Sequence, residues 1–281
     1  MSQAEQETRK QVADAYAAAI RQAQQGSGSC CGPATPAGTV AKLAGYEAEL
    51  DTHKEAGASS FGCGNPLAFA GVEKGQAVLD LGSGAGFDLL IAADKVGAQG
   101  KVIGVDMTDA MIEVARDNIR KAGRDNIEVR KGLIEELPVE DGSVDWVISN
   151  CVINLSPEKE RVFKEIERVL APGGRFSVSD IVAHDLPPWV REHAQAYSAC
   201  VAGAVSEEEY VAGLRAAGLV EIEVSERIVY DADQICGLVE SDLRSFGIDP
   251  TDVAGAFAEL AGKVQSIRIS GRKPPDRAPE P

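Results

Sequence analysis

The chain has 281 residues, enough for one large domain or a domain with an appendage. Its 44 acidic against 28 basic residues leave a net charge of −16, which argues against a phosphate-neutralising face and so against nucleic acid as a partner. No stretch approaches the roughly 20 apolar residues of a membrane span, and the acidic start from Met1 to Glu7 lacks the charge of a signal peptide. A cytoplasmic protein with no membrane partner is expected, where six cysteines suggest metal, redox or catalytic use before structural disulfides.

Val12, Tyr16, Ala19 and Ile20 recur at helical spacing, giving an amphipathic N-terminal helix that stops at Gly26-Ser27-Gly28-Ser29. That stretch delivers Cys30-Cys31-Gly32-Pro33. Residues 39–70 read as a second irregular segment around Gly62-Cys63-Gly64-Asn65-Pro66. Regular alternation follows. Ala77–Leu81 is a short apolar run stopped by glycine, the mark of a buried parallel strand. Phe87–Val96 reads as a helix and Lys101–Val105 as a strand. Thr108–Ala122 reads as a helix that Thr108 could cap, and Ile127–Arg130 and Val144–Ser149 as strands. Pro157 opens a helix over Glu158–Leu170, ended by Ala171-Pro172-Gly173-Gly174, and Arg175–Ile181 is the next strand. Such alternation predicts a doubly wound α/β sheet with helices on both faces. Ser206 with Glu209 makes a capping box for a helix to Ala217; after Glu223 the alternation weakens into a mixed region with a strand expected at Ser266–Ile269. The predicted organisation is a helix and Cys-Cys segment over 1–38, a nucleotide-binding domain over 39–185 with its lead-in at 39–70, a completing C-terminal region over 186–273 and a Pro-rich disordered tail over 274–281.

Asp80-Leu81-Gly82-Ser83-Gly84-Ala85-Gly86 places three glycines directly after a strand, where the turn is tight and a ligand can approach the backbone. The spacing G-x-G-x-G suits a zwitterionic amino-acid tail better than a pyrophosphate, which favours S-adenosylmethionine over a nicotinamide cofactor. Asp106 ends the second strand, where a carboxylate accepts ribose hydroxyls. Met107 can cover adenine, and Ile134-Glu135 stands where the third strand reaches it.

These segments resemble class I methyltransferases. Asp80–Gly86 matches the first motif of that superfamily, Asp106 its acidic second, and Leu170–Gly174 its turn before strand five. The resemblance implies a Rossmann-like sheet of seven strands with the last antiparallel. Asp80, Gly82, Ser83, Gly84, Gly86, Asp106, Met107, Ile134, Glu135 and Asn150 are the expected cofactor-binding set.

Among the thiols, Cys151 follows the apolar run ending Val147-Ile148, at the edge where such a sheet opens its site. Cys63 is packaged between glycines, Cys200 lies after strand five, and Cys236 reads as a small hydrophobe. Paired cysteine spacing for zinc is missing, and His53, His184 and His193 read as surface or helix residues. Three separated thiolates suit a soft pyramidal ion such as trivalent arsenic, whose lone pair is a nucleophile.

Over about residues 10–220 the sequence resembles arsenite S-adenosylmethyltransferases, on Ser29–Pro33, Gly62–Pro66, Leu79–Asp88, Gly104–Met107, Ile148–Arg161 and Ala199–Ala204. The match weakens at Asp51–Phe61 and beyond about Ala217. It implies arsenic held by Cys63, Cys151 and Cys200, with Cys30 or Cys31 as a relay thiol. It further implies thiol-conjugated As(III) as substrate, a thioredoxin- or glutathione-type reductant as partner, a monomer, and a part in arsenic detoxification. The alternatives are a class I methyltransferase of a small organic molecule and a non-enzymatic soft-metal-binding protein.

Overall fold

The computed structural model describes residues 2–24, 46–57, 65–67, 70–191, 200–231, 235 and 259–276. Seven strands form its centre: β1 (Ala77–Leu81), β2 (Lys101–Asp106), β3 (Ile127–Lys131), β4 (Val144–Asn150), β5 (Leu170–Ala183), β6 (Val220–Val229) and β7 (Val264–Arg272). Their order is β3-β2-β1-β4-β5-β7-β6, parallel except that β7 runs antiparallel between β5 and β6.

Alternation along each strand feeds two cores, because successive side chains leave opposite faces. Val78, Val102, Trp146 and Ile148 face helices α4 (Phe87–Val96) and α5 (Asp109–Lys121). Leu79, Leu81, Ile103, Val105 and Val147 face α6 (Lys159–Val169) and α8 (Glu207–Ala216). Both faces are covered, which is why these strands read as continuous apolar runs.

Helix α1 (Gln3–Gln24) belongs to neither layer. Its Val12 packs with Cys151, Cys200, Ile181 and Leu186 over the C-terminal ends of the central strands, while Ile20 packs on Ala85 and Met111. The amphipathic spacing of α1 therefore serves the sheet's functional edge.

Several expectations need adjusting. The 39–70 segment contains two short helices, α2 (Glu47–Thr52) and α3 (Lys54–Gly57), because Tyr46, Leu50 and Ala56 are buried against the Phe87 side of α4. Ala171–Gly174 does not stand outside the sheet. It forms an irregularity inside β5, where Val144 pairs Leu170 and Trp146 pairs Arg175, with Gly173 at φ 78°. Strand β6 carries apolar residues too exposed (Val229 53 %) to leave a clear burial pattern, and β7 extends well beyond Ser266–Ile269. A turn of α7 (Pro188–Arg191) follows β5. Thr108 occupies the cap position of α5 without a side-chain cap bond, its hydroxyl being engaged by Asp106.

The capping box at α8 is present in both directions: Ser206 Oγ accepts from Glu209 N at 3.2 Å, and Ser206 N donates to Glu209 Oε2 at 3.0 Å. Ser206→Ala should lower stability by about 1 kcal/mol, seen as a lower denaturation midpoint at unchanged m-value. An unshifted midpoint would show that α8 is held by Tyr210 and Leu214 packing alone.

Candidate active site

A cavity of about 970 Å³, its mouth included, opens at the C-terminal ends of β1, β2 and β4. Its floor is the glycine turn. Gly82 (φ 65°), Gly84 (φ 50°) and Gly86 (φ 86°) all adopt left-handed backbone, which L side chains avoid. An ideal Cβ on Gly84 meets nothing within 4 Å, so the backbone there borders open space. A Cβ on Gly82 would lie 2.5 Å from both Val152 methyl carbons. The missing side chain is what lets the loop after β4, bearing Cys151, pack onto the turn. Gly86 is off the cavity wall, against Ala115 of α5.

Three carboxylates surround this turn. Burial pushes Asp80 well above the usual carboxylate range, and the neighbouring charges of Asp88 and Asp106 push it further. Asp88 is pushed up to about 6, by burial first, against the lowering effect of bonds from Tyr46 and Asn150. Tyr46 donates its hydroxyl to Asp88 Oδ1, while Asn150 Nδ2 donates to Tyr46 Oη at 3.0 Å and to Asp88 Oδ2 at 3.2 Å. Asp106 is raised by burial, but less so because backbone N–H groups serve it: Gly84 N donates to Oδ2 at 2.9 Å and Thr108 N to Oδ1 at 2.8 Å. Ser83 Oγ, on the same wall, is buried with no hydrogen-bond partner among the described residues.

The lining is completed by Met107, Ile134, Glu135 and α1, which contributes Arg9, Val12 and Tyr16. Arg9 is a buried cation paired to Glu135 at 3.0 Å and to Glu158 at 2.5 Å. The cavity therefore carries both a charge-paired carboxylate, Glu135, and the acidic cluster Asp80, Asp88 and Asp106.

One cysteine lines the cavity and a second is hydrogen-bonded to it. Cys151 is 6 % exposed and lines the cavity, and it is disulfide-bonded. Cys200 is buried and free, and its Sγ–H donates to the Cys151 carbonyl at 2.8 Å. Burial, then the Asp180 charge, pushes the Cys200 thiol up. Both residues have positive φ, 60° and 64°, a conformation costing a non-glycine residue on the order of 1 kcal/mol or more and found preferentially at functional sites.

Nine of the ten expected cofactor residues thus line one cavity. Cys151 and Cys200 are brought together, whereas Cys30, Cys31, Cys63, Cys236 and His193 lie outside the described residues. Among the described residues no group of three His, Cys, Asp or Glu is arranged to hold a metal ion. His53 lies between α2 and α3, in keeping with the surface-or-helix expectation. Its ring is 8 % exposed, with Nε2 2.7 Å from Asp94 Oδ2, while His184 is exposed. The sequence reading missed Asp88, Tyr46 and Arg9. The available signal for Asp88 was a carboxylate in the first turn of the helix that follows the glycines. For Arg9 it was a charge beside the apolar stripe of α1.

A seven-stranded sheet in this order, with its glycine turn and acidic β2 end, defines an α/β methyltransferase, and a family model described as "Methyltransferase domain" matches residues 72–218. An arsenite methyltransferase of Halobacterium salinarum is 44 % identical over 234 residues, 79 % of this chain and 60 % of that protein. One of Homo sapiens is 36 % identical over 173 residues, 58 % of this chain and 46 % of that protein. The chain thus spans about half to three-fifths of the length of these relatives. The crystal structure of CrArsM, an arsenic(III) S-adenosylmethionine methyltransferase from Chlamydomonas reinhardtii, superposes with a TM-score of 0.61 at 36 % identity, covering 87 % of this chain and 76 % of that one. The chain belongs to the arsenite methyltransferase family. No helix among the described residues is long and apolar enough to cross a membrane.

Beneath Cys200, Asp180 is fully buried, accepting from Asn154 Nδ2 and Ile181 N at 2.9 Å each and from Tyr210 Oη at 3.2 Å. Burial pushes its carboxyl from 3.8 up to about 6. The folded value lies above the unfolded one, so its stabilising contribution is complete below the unfolded pKa and lost as pH rises through about 6. Asp180→Asn keeps the shape without the titration. Denaturation curves from pH 4 to 6 should therefore fall less steeply with pH for this variant than for the wild type. Identical slopes would mean that Asp180 is solvated.

Proposed function

We propose that this chain binds S-adenosylmethionine in the cavity and transfers its methyl group to trivalent arsenic delivered as a thiol conjugate. The observation that carries the reading is the junction of an acidic cofactor-sized cavity with the Cys151–Cys200 pair. The fit to the cofactor rests on the open space over Gly84, the Ser83 hydroxyl without a partner among the described residues, and the cluster of Asp80, Asp88 and Asp106, to which no cation is paired among the described residues. Bound S-adenosylmethionine supplies an electrophilic methyl on a cationic sulfur.

The residues divide the work. Asp106 has two oxygens already fixed by backbone donors, and its remaining lone pairs accept the ribose hydroxyls. Asp80 and Asp88, the latter aimed by Tyr46 and Asn150, seat the α-ammonium and lower the energy of the nearby sulfonium. Met107 and Ile134 cover the adenine faces, and Glu135 accepts its amino group. Val152, seated on Gly82, holds the thiol-bearing loop against this end of the ligand. Effective orientation of this kind is the main contribution an enzyme can make to a simple displacement.

Arsenic arrives by exchange: each protein S–H gives its proton to the departing thiolate as a sulfur–arsenic bond forms. Cys63, Cys151 and Cys200 are the proposed ligands, and the Cys151 disulfide would have to be reduced before it can serve. With the cofactor bound, arsenic held on these thiolates would offer its lone pair to the methyl, and the S–CH3 electron pair would stay on sulfur as a neutral thioether. Arsenic has lost two electrons formally. The thiol of Cys30 or Cys31, losing its proton to solvent, attacks the Cys63 sulfur. The As–S bond to Cys63 breaks with its electron pair left on arsenic, which is again trivalent, and a cellular dithiol reopens the disulfide so formed.

Incubation with arsenite, S-adenosylmethionine and a thiol should yield methylated arsenicals by chromatographic speciation, and their absence would sink the assignment. Cys200→Ser should reduce arsenic methylation by about 100-fold or more while leaving the cofactor dissociation constant within about twofold. Asp106→Ala should show the reverse pattern, weakening cofactor binding by about tenfold or more through loss of charge-assisted bonds. Unchanged affinity in that variant would place the ribose elsewhere.

A further inference from the structure

We propose that Arg9 is a positioning residue that sets the base specificity of the cofactor cavity by fixing the carboxylate of Glu135. The inference rests on the reading of the cavity as an S-adenosylmethionine site and goes beyond it, because Arg9 comes from the N-terminal helix, outside the matched methyltransferase domain.

Three donors converge on a single oxygen of Glu135. Arg9 Nε donates to Oε1 at 3.1 Å, Arg9 Nη2 at 3.0 Å and Ser156 Oγ at 2.6 Å. The Ser156 proton is committed to this bond, since the same hydroxyl oxygen accepts from Glu158 N at 3.0 Å. Oε2 takes no hydrogen bond among the described residues, yet Glu135 is 5 % exposed and borders the cavity. One oxygen is saturated and the other is left for a ligand donor.

Arg9 can hold this geometry because it is itself clamped. Its Nη2 also donates to Glu158 Oε2, and Glu158 is held in turn by Arg161 Nη1 at 3.0 and 3.2 Å. A planar guanidinium presenting Nε and Nη2 together fixes the angle of its partner, which a lysine ammonium cannot do. The arrangement neutralises the Glu135 charge without consuming its second oxygen. That suits a neutral N–H donor such as the 6-amino group of adenine. Hypoxanthine carries a carbonyl oxygen at the same position and would face the carboxylate oxygen directly. Sites built to hydrogen-bond a donor reject analogues lacking it, because the buried partner is left unpaired.

The test is isothermal titration of the full chain with S-adenosylhomocysteine and with S-inosylhomocysteine, for wild type, Arg9→Met and Arg9→Lys. Wild type should prefer the adenine compound by about tenfold or more. Arg9→Met should bind S-adenosylhomocysteine about tenfold more weakly and retain less than about threefold preference, with Arg9→Lys in between. A helix that merely braced the wall would weaken both compounds equally and keep their ratio, so an unchanged ratio in Arg9→Met overturns the proposal. Should Arg9→Met lose the wild-type circular dichroism, Arg9→Lys decides on the same ratio. Wild type that binds both compounds equally also overturns it. Wild type that binds neither overturns the cofactor reading as well.

Discussion

Three buried carboxylates around one glycine turn are the constraint from which the site follows. Asp80, Asp88 and Asp106 each stand above their ordinary pKa, with burial as the largest cause, and Asp80 feels both of the others. Among the described residues the one cation on the cavity wall, Arg9, is paired to Glu135 and Glu158. Uncompensated buried charge is costly, and proteins retain it where a ligand relieves the cost. The fold tolerates the arrangement through local devices: backbone N–H groups on Asp106, and Tyr46 and Asn150 on Asp88.

The same turn couples the cavity to the thiols. Gly82 admits Val152 at a distance no side chain would permit, and Val152 is bonded to Cys151. The Cys151 carbonyl then anchors the Cys200 thiol from a segment nearly 50 residues later. Two left-handed cysteines meeting at the end of a glycine turn make up a strained junction held by its surroundings. Helix α1 completes the assembly, with Val12 packed among the cysteines and Arg9 lining the cavity.

Much of this was legible because the relevant signals are local. Ala77–Leu81 and Val144–Asn150 are buried on both faces and read as apolar runs, the glycines announce the turn, and Ser206 with Glu209 announces α8. What escaped depends on contacts distant in sequence. Tyr46 meets Asp88 across 42 positions and Arg9 meets Glu135 across 126, and neither pairing leaves a periodic trace. Ala171-Pro172-Gly173-Gly174 carries turn chemistry, yet sheet pairing on both sides absorbs it as an irregularity in β5. Likewise Thr108 has the composition of a cap, but the nearby Asp106 carboxylate claims its hydroxyl.

The central claim is that the acidic turn is built for a cationic ligand. It is tested most directly by the protons released when S-adenosylmethionine binds, from calorimetric titrations near pH 6 in buffers of different ionisation enthalpy. A cation seated against Asp80 and Asp88 favours their ionised forms, so binding should release protons near the pKa of about 6 of Asp88, and Asp88→Asn should diminish the release. Binding that exchanges no protons at that pH would contradict the account.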